Sequence, residues 1–148
     1  MLYQDKPKYD LSLKVVVAGL LALTLIPGIA MIFSNLELAW TMFGLTVFDG
    51  LLMAAIIPRK YQLFEDRLRI QLGGPIVINV PYRNIKEVRP AANSEAYVYW
   101  GLRLATSKAT VVEIIKRRGL SMVISPSDRD IFMEQLEQAR RERSGDAV

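Results

Sequence analysis

Val15 to Ile57 reads VVVAGLLALTLIPGIAMIF, then SNLE, then LAWTMFGLTVFDGLLMAAII. Val15–Phe33 is 19 residues without a charge, and Leu38–Ile57 is 20 residues with a single charge, Asp49. At about 1.5 Å of rise per residue each run extends roughly 30 Å, the thickness of a hydrocarbon core. Only Ser34, Asn35, Leu36 and Glu37 link them, so two spans of this kind form an antiparallel hairpin. Buried core helices of a soluble protein are the alternative, but the remaining chain is too small to cover both. Lys6, Lys8 and Lys14 followed by Gly28-Ile29-Ala30 resemble a cleavable signal segment. The apolar run continues through Phe33, however, and an uncleaved span is expected, with Pro27-Gly28 marking a kink or an early helix end.

Outward from the hairpin, the charge divides sharply. The chain has 148 residues, with 19 Lys plus Arg, 15 Asp plus Glu, and neither Cys nor His. Residues 1–58 hold three Lys and no Arg, while residues 59–148 hold the other 16 basic residues against 11 acidic ones. Lys6, Lys8 and Lys14 precede the first span, Arg59 and Lys60 follow the second, and the loop between has no basic residue. The positive-inside rule then puts both termini in the cytoplasm of a bacterial inner membrane. Lack of Cys and His excludes thiol catalysis, disulfides, zinc fingers and Ser-His-Asp chemistry. No Gly-rich phosphate loop of the right spacing occurs. No enzyme activity, metal, cofactor or nucleic-acid partner is therefore expected.

Within the hairpin, Ala18 and Ala22 stand level with Ala54 and Gly50, and two small-residue pairs at matched depth would let the helices approach closely. Asp49 lies about 12 Å deep, eight residues from Ile57 at about 1.5 Å each. A charged Asp in the centre of a span costs roughly 2.5–3.5 kcal/mol, so the group calls for a hydrogen bond or water. Thr24, at nearly the same depth, is one candidate partner. Packing through Ala18, Ala22, Gly50 and Ala54 would leave Asp49 and Thr24 on the flanks, where Asp49 could meet a second copy or another membrane protein.

After Pro58 the pattern alternates. Arg67-Leu68-Arg69-Ile70-Gln71-Leu72 turns Leu68, Ile70 and Leu72 to one face, and Gly73-Gly74 reads as a tight hairpin turn. Further strands are expected at Tyr61–Phe64, Ile76–Val80, Pro81–Arg89 (a strand or bend), Ala96–Ala105, Thr110–Lys116 and Leu120–Ile124, about seven antiparallel strands in all. Ser125-Pro126-Ser127-Asp128 is a helix start with Ser125 or Ser127 as cap. Phe132, Leu136 and Ala139 make an apolar stripe at helical spacing. The expected division is an N-terminal segment 1–14, a hairpin 15–57 with spans 15–33 and 38–57, a sheet domain 58–141 and a frayed tail 142–148.

Three pieces of this sequence resemble the bacterial pleckstrin-homology (PH)-like family: YQLFEDRLRI from Tyr61, VPYRNIKEV from Val80, and VISPSD from Val123 ahead of Phe132 and Leu136. The resemblance implies a half-open β-barrel closed by a C-terminal helix, often preceded by a membrane hairpin, and it implies no catalytic residue. Eukaryotic PH domains read inositol phosphates through a long basic first hairpin. Arg67, Arg69 and Gln71 occupy a similar strand, but the short neutral Gly73-Gly74-Pro75 turn departs from that pattern. The candidate lipid- or partner-facing cations are Arg59, Lys60, Arg67, Arg69, Lys116, Arg117 and Arg118, since anionic headgroups attract each nearby cation by about 1 kcal/mol. Tyr97, Tyr99 and Trp100 are a candidate partner strand. The expected function is a membrane-anchored scaffold or accessory subunit that binds an integral membrane protein or a second copy of itself. The alternatives are a sensor of anionic lipid headgroups and an assembly factor for a photosynthetic or respiratory complex.

Overall fold

The computed structural model describes residues 1–92 and 100–145. Two long apolar helices come first, α1 (Leu11–Ala30) and α2 (Leu36–Ile56), both long and apolar enough to cross a membrane. Only 6% of each apolar window is buried inside the protein, so neither is the core helix of a compact globule. Asn35 caps α2, its side-chain oxygen accepting from Leu38 N–H at 3.1 Å, which satisfies one of the orphan donors of a helix start.

The seam between the helices runs through Leu21, Thr24 and Gly28 on α1 and Met42, Thr46 and Gly50 on α2. Thr46 donates to Thr24 Oγ1 at 2.9 Å, and Thr24 donates to the Leu21 carbonyl at 3.1 Å. A Cβ on Gly28 would lie 3.1 Å from Met42 Cβ and 3.1 Å from Phe43 Cε1, so the helices pack closely at Gly28. Of the expected packing residues, Ala18 and Ala54 are exposed and lie off this seam, whereas Ala22 is half-buried. Gly50 does face the seam, where an added Cβ would meet Leu21 Cδ2 at 3.8 Å. Small residues abound on both helices, and depth matching alone cannot fix their rotational phase. Pro27 does not end α1, which continues to Ala30.

The sheet domain has eight strands among the described residues: β1 (Tyr3–Asp5), β2 (Pro58–Leu63), β3 (Arg67–Leu72), β4 (Val77–Pro81), β5 (Ile85–Pro90), β6 (Leu102–Leu104), β7 (Val112–Lys116) and β8 (Met122–Ile124). They form two four-stranded sheets, ordered β1-β2-β3-β4 and β5-β7-β8-β6. Two features depart from the sequence reading. The N-terminal segment supplies a strand, β1, that pairs antiparallel with β2. The strands are also not all antiparallel, since β6 runs parallel to β8. Residues 105–111 carry the chain past β8 to the start of β7, so β6 and β8 end up side by side with the same direction. A 3-10 turn, Tyr82–Asn84, joins the sheets.

The larger of two core clusters among the described residues is built from Tyr61, Leu63, Leu68, Ile70, Val80, Ile85, Val112, Ile114, Met122 and Ile124, and the smaller from Val111 and Val123. The last helix, α3 (Arg129–Gly145), adds Phe132, Leu136 and Ala139 to the larger, and the first two of these have no exposed surface. Full burial of each such large side chain contributes about 1.5–3 kcal/mol, so α3 is part of the core rather than an appendage. Its ring Phe132 meets Tyr61 edge-on at 6.0 Å between centroids, an arrangement favoured by the aromatic quadrupole. The cap of α3 is Asp128, whose Oδ1 accepts from Asp130 and Ile131 N–H at 3.1 Å each. Neither Ser125 nor Ser127 takes that role. Ser125 is buried and donates to the Ser107 carbonyl at 2.6 Å, and Ser127 is held by Asp5.

Candidate functional site

Three places in this fold concentrate polar groups or close contacts. The first is the joint between helices and sheets. β1 leads through Pro7, which bridges to Pro126, into a run of contacts with the segment after β8 and the loop before β7. Lys8 N–H donates to the Ser125 carbonyl at 3.0 Å, and Thr106 Oγ1 donates to the Lys8 carbonyl at 2.6 Å. Asp10 N–H donates to Thr106 O at 3.1 Å, and its carboxylate accepts from Ser107 Oγ and Lys108 N–H at 2.8 Å each. The Lys108 N–H, helped by Ser107 and by the charges of Lys108 and Lys8, holds the Asp10 carboxyl below its ordinary range against the opposing effect of burial. Tyr9 Oη donates to the Pro58 carbonyl at 2.5 Å, and burial raises its phenol above the usual value while the Arg59 charge opposes the rise. On the other side, the β3–β4 turn rests on the end of α2, with Gly73 N–H donating to the Ile57 carbonyl at 3.0 Å. Residues 2–10 thus bond to both sheets immediately before the chain enters α1.

The second place is Asp49 on α2. It is half-buried and has no hydrogen-bond partner among the described residues. Thr24 does not serve it, being engaged by Thr46.

The third is the end of both sheets remote from the helices. There Pro81, Arg83, Asn84, Arg117 and Arg118 line a cleft of about 570 Å³. Asn84 fixes its walls: its Nδ2 donates to the Arg118 carbonyl and its Oδ1 accepts from Arg118 N–H, both at 3.0 Å, while its own carbonyl accepts from Arg117 N–H at 2.8 Å. Gly119 completes this turn at φ +83, a conformation natural to glycine. The three arginines are exposed, and none has a carboxylate partner among the described residues. Such a group of guanidiniums suits carboxylate or phosphate oxygens.

Residues 59–140, more than half of the chain, match the family described as Bacterial PH domain. The chain belongs to this family. Comparison with curated proteins and with solved structures gives no match. The matched region begins one residue into β2 and ends within α3, so the bacterial PH domain here comprises seven of the eight strands plus the helix.

The bacterial PH domain does not gather the expected cations onto one surface. Arg59 and Lys60 are exposed beside Pro58, where α2 passes into β2. Arg67 starts β3 at the other end and faces Asp66 at 3.6 Å. Arg69 lies mid-strand between Gln62 and Asn79, with its Nε buried and unpaired among the described residues. Lys116 ends β7, half-buried, and burial lowers its ammonium below the ordinary value. Arg117 and Arg118 lie in the following turn. Tyr97 and Tyr99 fall outside the described residues, whereas Trp100 is 96% exposed. Sequence reasoning did not connect Arg83 and Asn84 with Arg117 and Arg118. They are 34 residues apart, and only the β5–β7 register brings them together.

Proposed function

We propose that this protein is a membrane-anchored interaction module of the bacterial inner membrane, a scaffold or accessory subunit. On this reading α1 and α2 span the bilayer, both termini are cytoplasmic, and the two sheets with α3 form the half-open PH-like barrel. The pairing of β1 with β2 carries the reading. One strand precedes the hairpin and the other follows it, so the sheet holds both flanks of the hairpin on a single side. Lys6, Lys8, Lys14, Arg59 and Lys60 supply the positive charge expected at the cytoplasmic ends. Asp49, without a hydrogen-bond partner among the described residues, supplies the reason for a protein neighbour, because an intramembrane carboxyl is stabilised by a hydrogen bond from another helix. Arg59 and Lys60, exposed at the end of α2, also favour contact with anionic headgroups, which orients the domain without identifying a partner.

Crosslinking in cells followed by mild-detergent extraction tests this. A stoichiometric adduct, with another membrane protein or a second copy, is expected. Asp49→Leu should weaken that association about threefold to twentyfold, the value of one interhelical hydrogen bond at about 0.6–1.7 kcal/mol. A monomer free of partners under every extraction condition would contradict the proposal.

A further inference from the structure

The end of the sheets remote from the helices joins two kinds of surface. Beside the arginine cleft, Leu120 is 64% exposed in the β7–β8 turn and Trp100 is 96% exposed ahead of β6. Leu102 N–H donates to the Ser121 carbonyl at 2.9 Å, which holds the start of β6 against that turn. Arg83, Arg117, Arg118, Leu120 and Trp100 therefore follow one another across a single edge, with Asn84 bonding the first turn to the second. We propose that this edge is a docking surface for an acidic segment of a protein partner, its carboxylates taken by the three arginines and an apolar side chain set against Leu120 and Trp100.

Chemistry and position both favour a peptide. Trp and Arg are the residues most enriched where interfaces concentrate their binding energy, and a free phosphate would use the arginines alone. Asn84 fixes the backbone under Arg117 and Arg118 before any ligand arrives, which lowers the entropic cost of binding. Headgroups of the protein's own membrane are disfavoured by distance. The helix-joined end of the second sheet holds Val112, Leu104 and Ile124, and the far end holds Lys116, Leu102 and Met122. Val112 and Lys116 are four steps of β7 apart at about 3.3 Å each, which separates the two ends by roughly 13 Å, beyond the screening length of about 8 Å at physiological salt.

This inference deepens the interaction reading above and rests on it. It is tested on the full chain in phosphatidylcholine nanodiscs held by a tryptophan-free scaffold protein. With Trp40→Phe, Trp100 is the sole tryptophan, since the chain has two. Titration with hexaglutamate should shift Trp100 emission saturably and lose affinity as salt is raised. The pair Arg117→Glu and Arg118→Glu should weaken binding at least about tenfold, and so should Arg83→Glu, each tenfold corresponding to about 1.4 kcal/mol. Arg117→Ala with Arg118→Ala should give a smaller loss, which separates charge from any folding defect. An unresponsive Trp100, or an affinity unaffected by charge reversal, would overturn the proposal. It would be overturned equally if inorganic phosphate reproduced the emission shift, or if phosphatidylglycerol vesicles displaced the peptide. A persistent Asp49-dependent adduct alongside a failed titration would remove this surface and leave the interaction reading intact.

Discussion

Gly73→Ala should unseat the sheet domain from the second helix and cost more than about 4 kcal/mol, in the range reserved for severe steric or core defects. A Cβ at position 73 would lie 1.4 Å from the Ala54 carbonyl oxygen, 2.6 Å from its carbon and 3.2 Å from Ala55 Cα. All three are backbone atoms near the end of α2, so no side-chain rotation can relieve the overlap. Backing the turn away would also break the Gly73 N–H bond to the Ile57 carbonyl. The neighbouring glycine is the control. Gly74 has φ +75 and open space around its Cβ, so Gly74→Ala carries only the left-handed penalty of about 1–2 kcal/mol. Thermal unfolding of the full chain in mild detergent, followed by circular dichroism, separates the two variants. Equal stability of Gly73→Ala and Gly74→Ala would mean that the turn does not rest on the helix.

Asp5→Ala should have the next largest effect, about 3 kcal/mol. Asp5 is 7% exposed, and its carboxylate accepts from Ser127 N–H at 3.0 Å, from Ser127 Oγ and from Lys6 N–H at 2.7 Å. Hydrogen bonds to a charged group contribute about 1.5–3 kcal/mol each, and the exposed donors Ser127 and Lys6 regain part of this from water. A three-residue strand has little else to hold it, so β1 should detach from β2. Hydrogen exchange should then show faster exchange in the backbone amides that bond across the β1–β2 ladder, while the β2–β3 ladder stays protected. Unchanged exchange across β1–β2 would show that β1 does not depend on this carboxylate.

Both variants probe contacts that sequence patterning does not show, and the reason is the same. Local periodicity is legible where an element is long or alternates cleanly. The two apolar runs gave helices Leu11–Ala30 and Leu36–Ile56, within a few residues of the expected spans. Leu68, Ile70 and Leu72 face the core as their alternation requires, and the Phe132, Leu136 and Ala139 stripe is buried. Tyr3-Gln4-Asp5 is too short for any alternation to register, and its pairing partner lies about 58 residues along the chain. Gly73 and Gly74 look identical in sequence as a turn signal. Only the approach of α2 separates one glycine required for space from one required for its φ.

The candidate site was legible in its parts rather than in its arrangement. Arg117 and Arg118 were evident as a basic turn, and Asp49 as an isolated acid in an apolar run. Composition could not show that Arg83 joins the first pair through Asn84, nor that Arg59 and Lys60 lie at the opposite end of the sheets. Ser125 was a plausible cap by type, but its hydroxyl is taken by Ser107, and Asp128 sits where the helix geometry needs an acceptor. Long-range contacts decide such competitions, and a local signature cannot weigh them.

The proposed anchoring by a hairpin with both flanks on the cytoplasmic side is directly measurable, because the chain has no cysteine. Single cysteines at Ser34, in the loop between the helices, and at Gln4 and Glu134, on β1 and α3, can be labelled in intact cells with an outer membrane permeabilised to a charged maleimide. Ser34→Cys should react before lysis, and Gln4→Cys and Glu134→Cys only after it. Labelling of Gln4→Cys or Glu134→Cys in unlysed cells, with Ser34→Cys protected, would contradict the proposed topology.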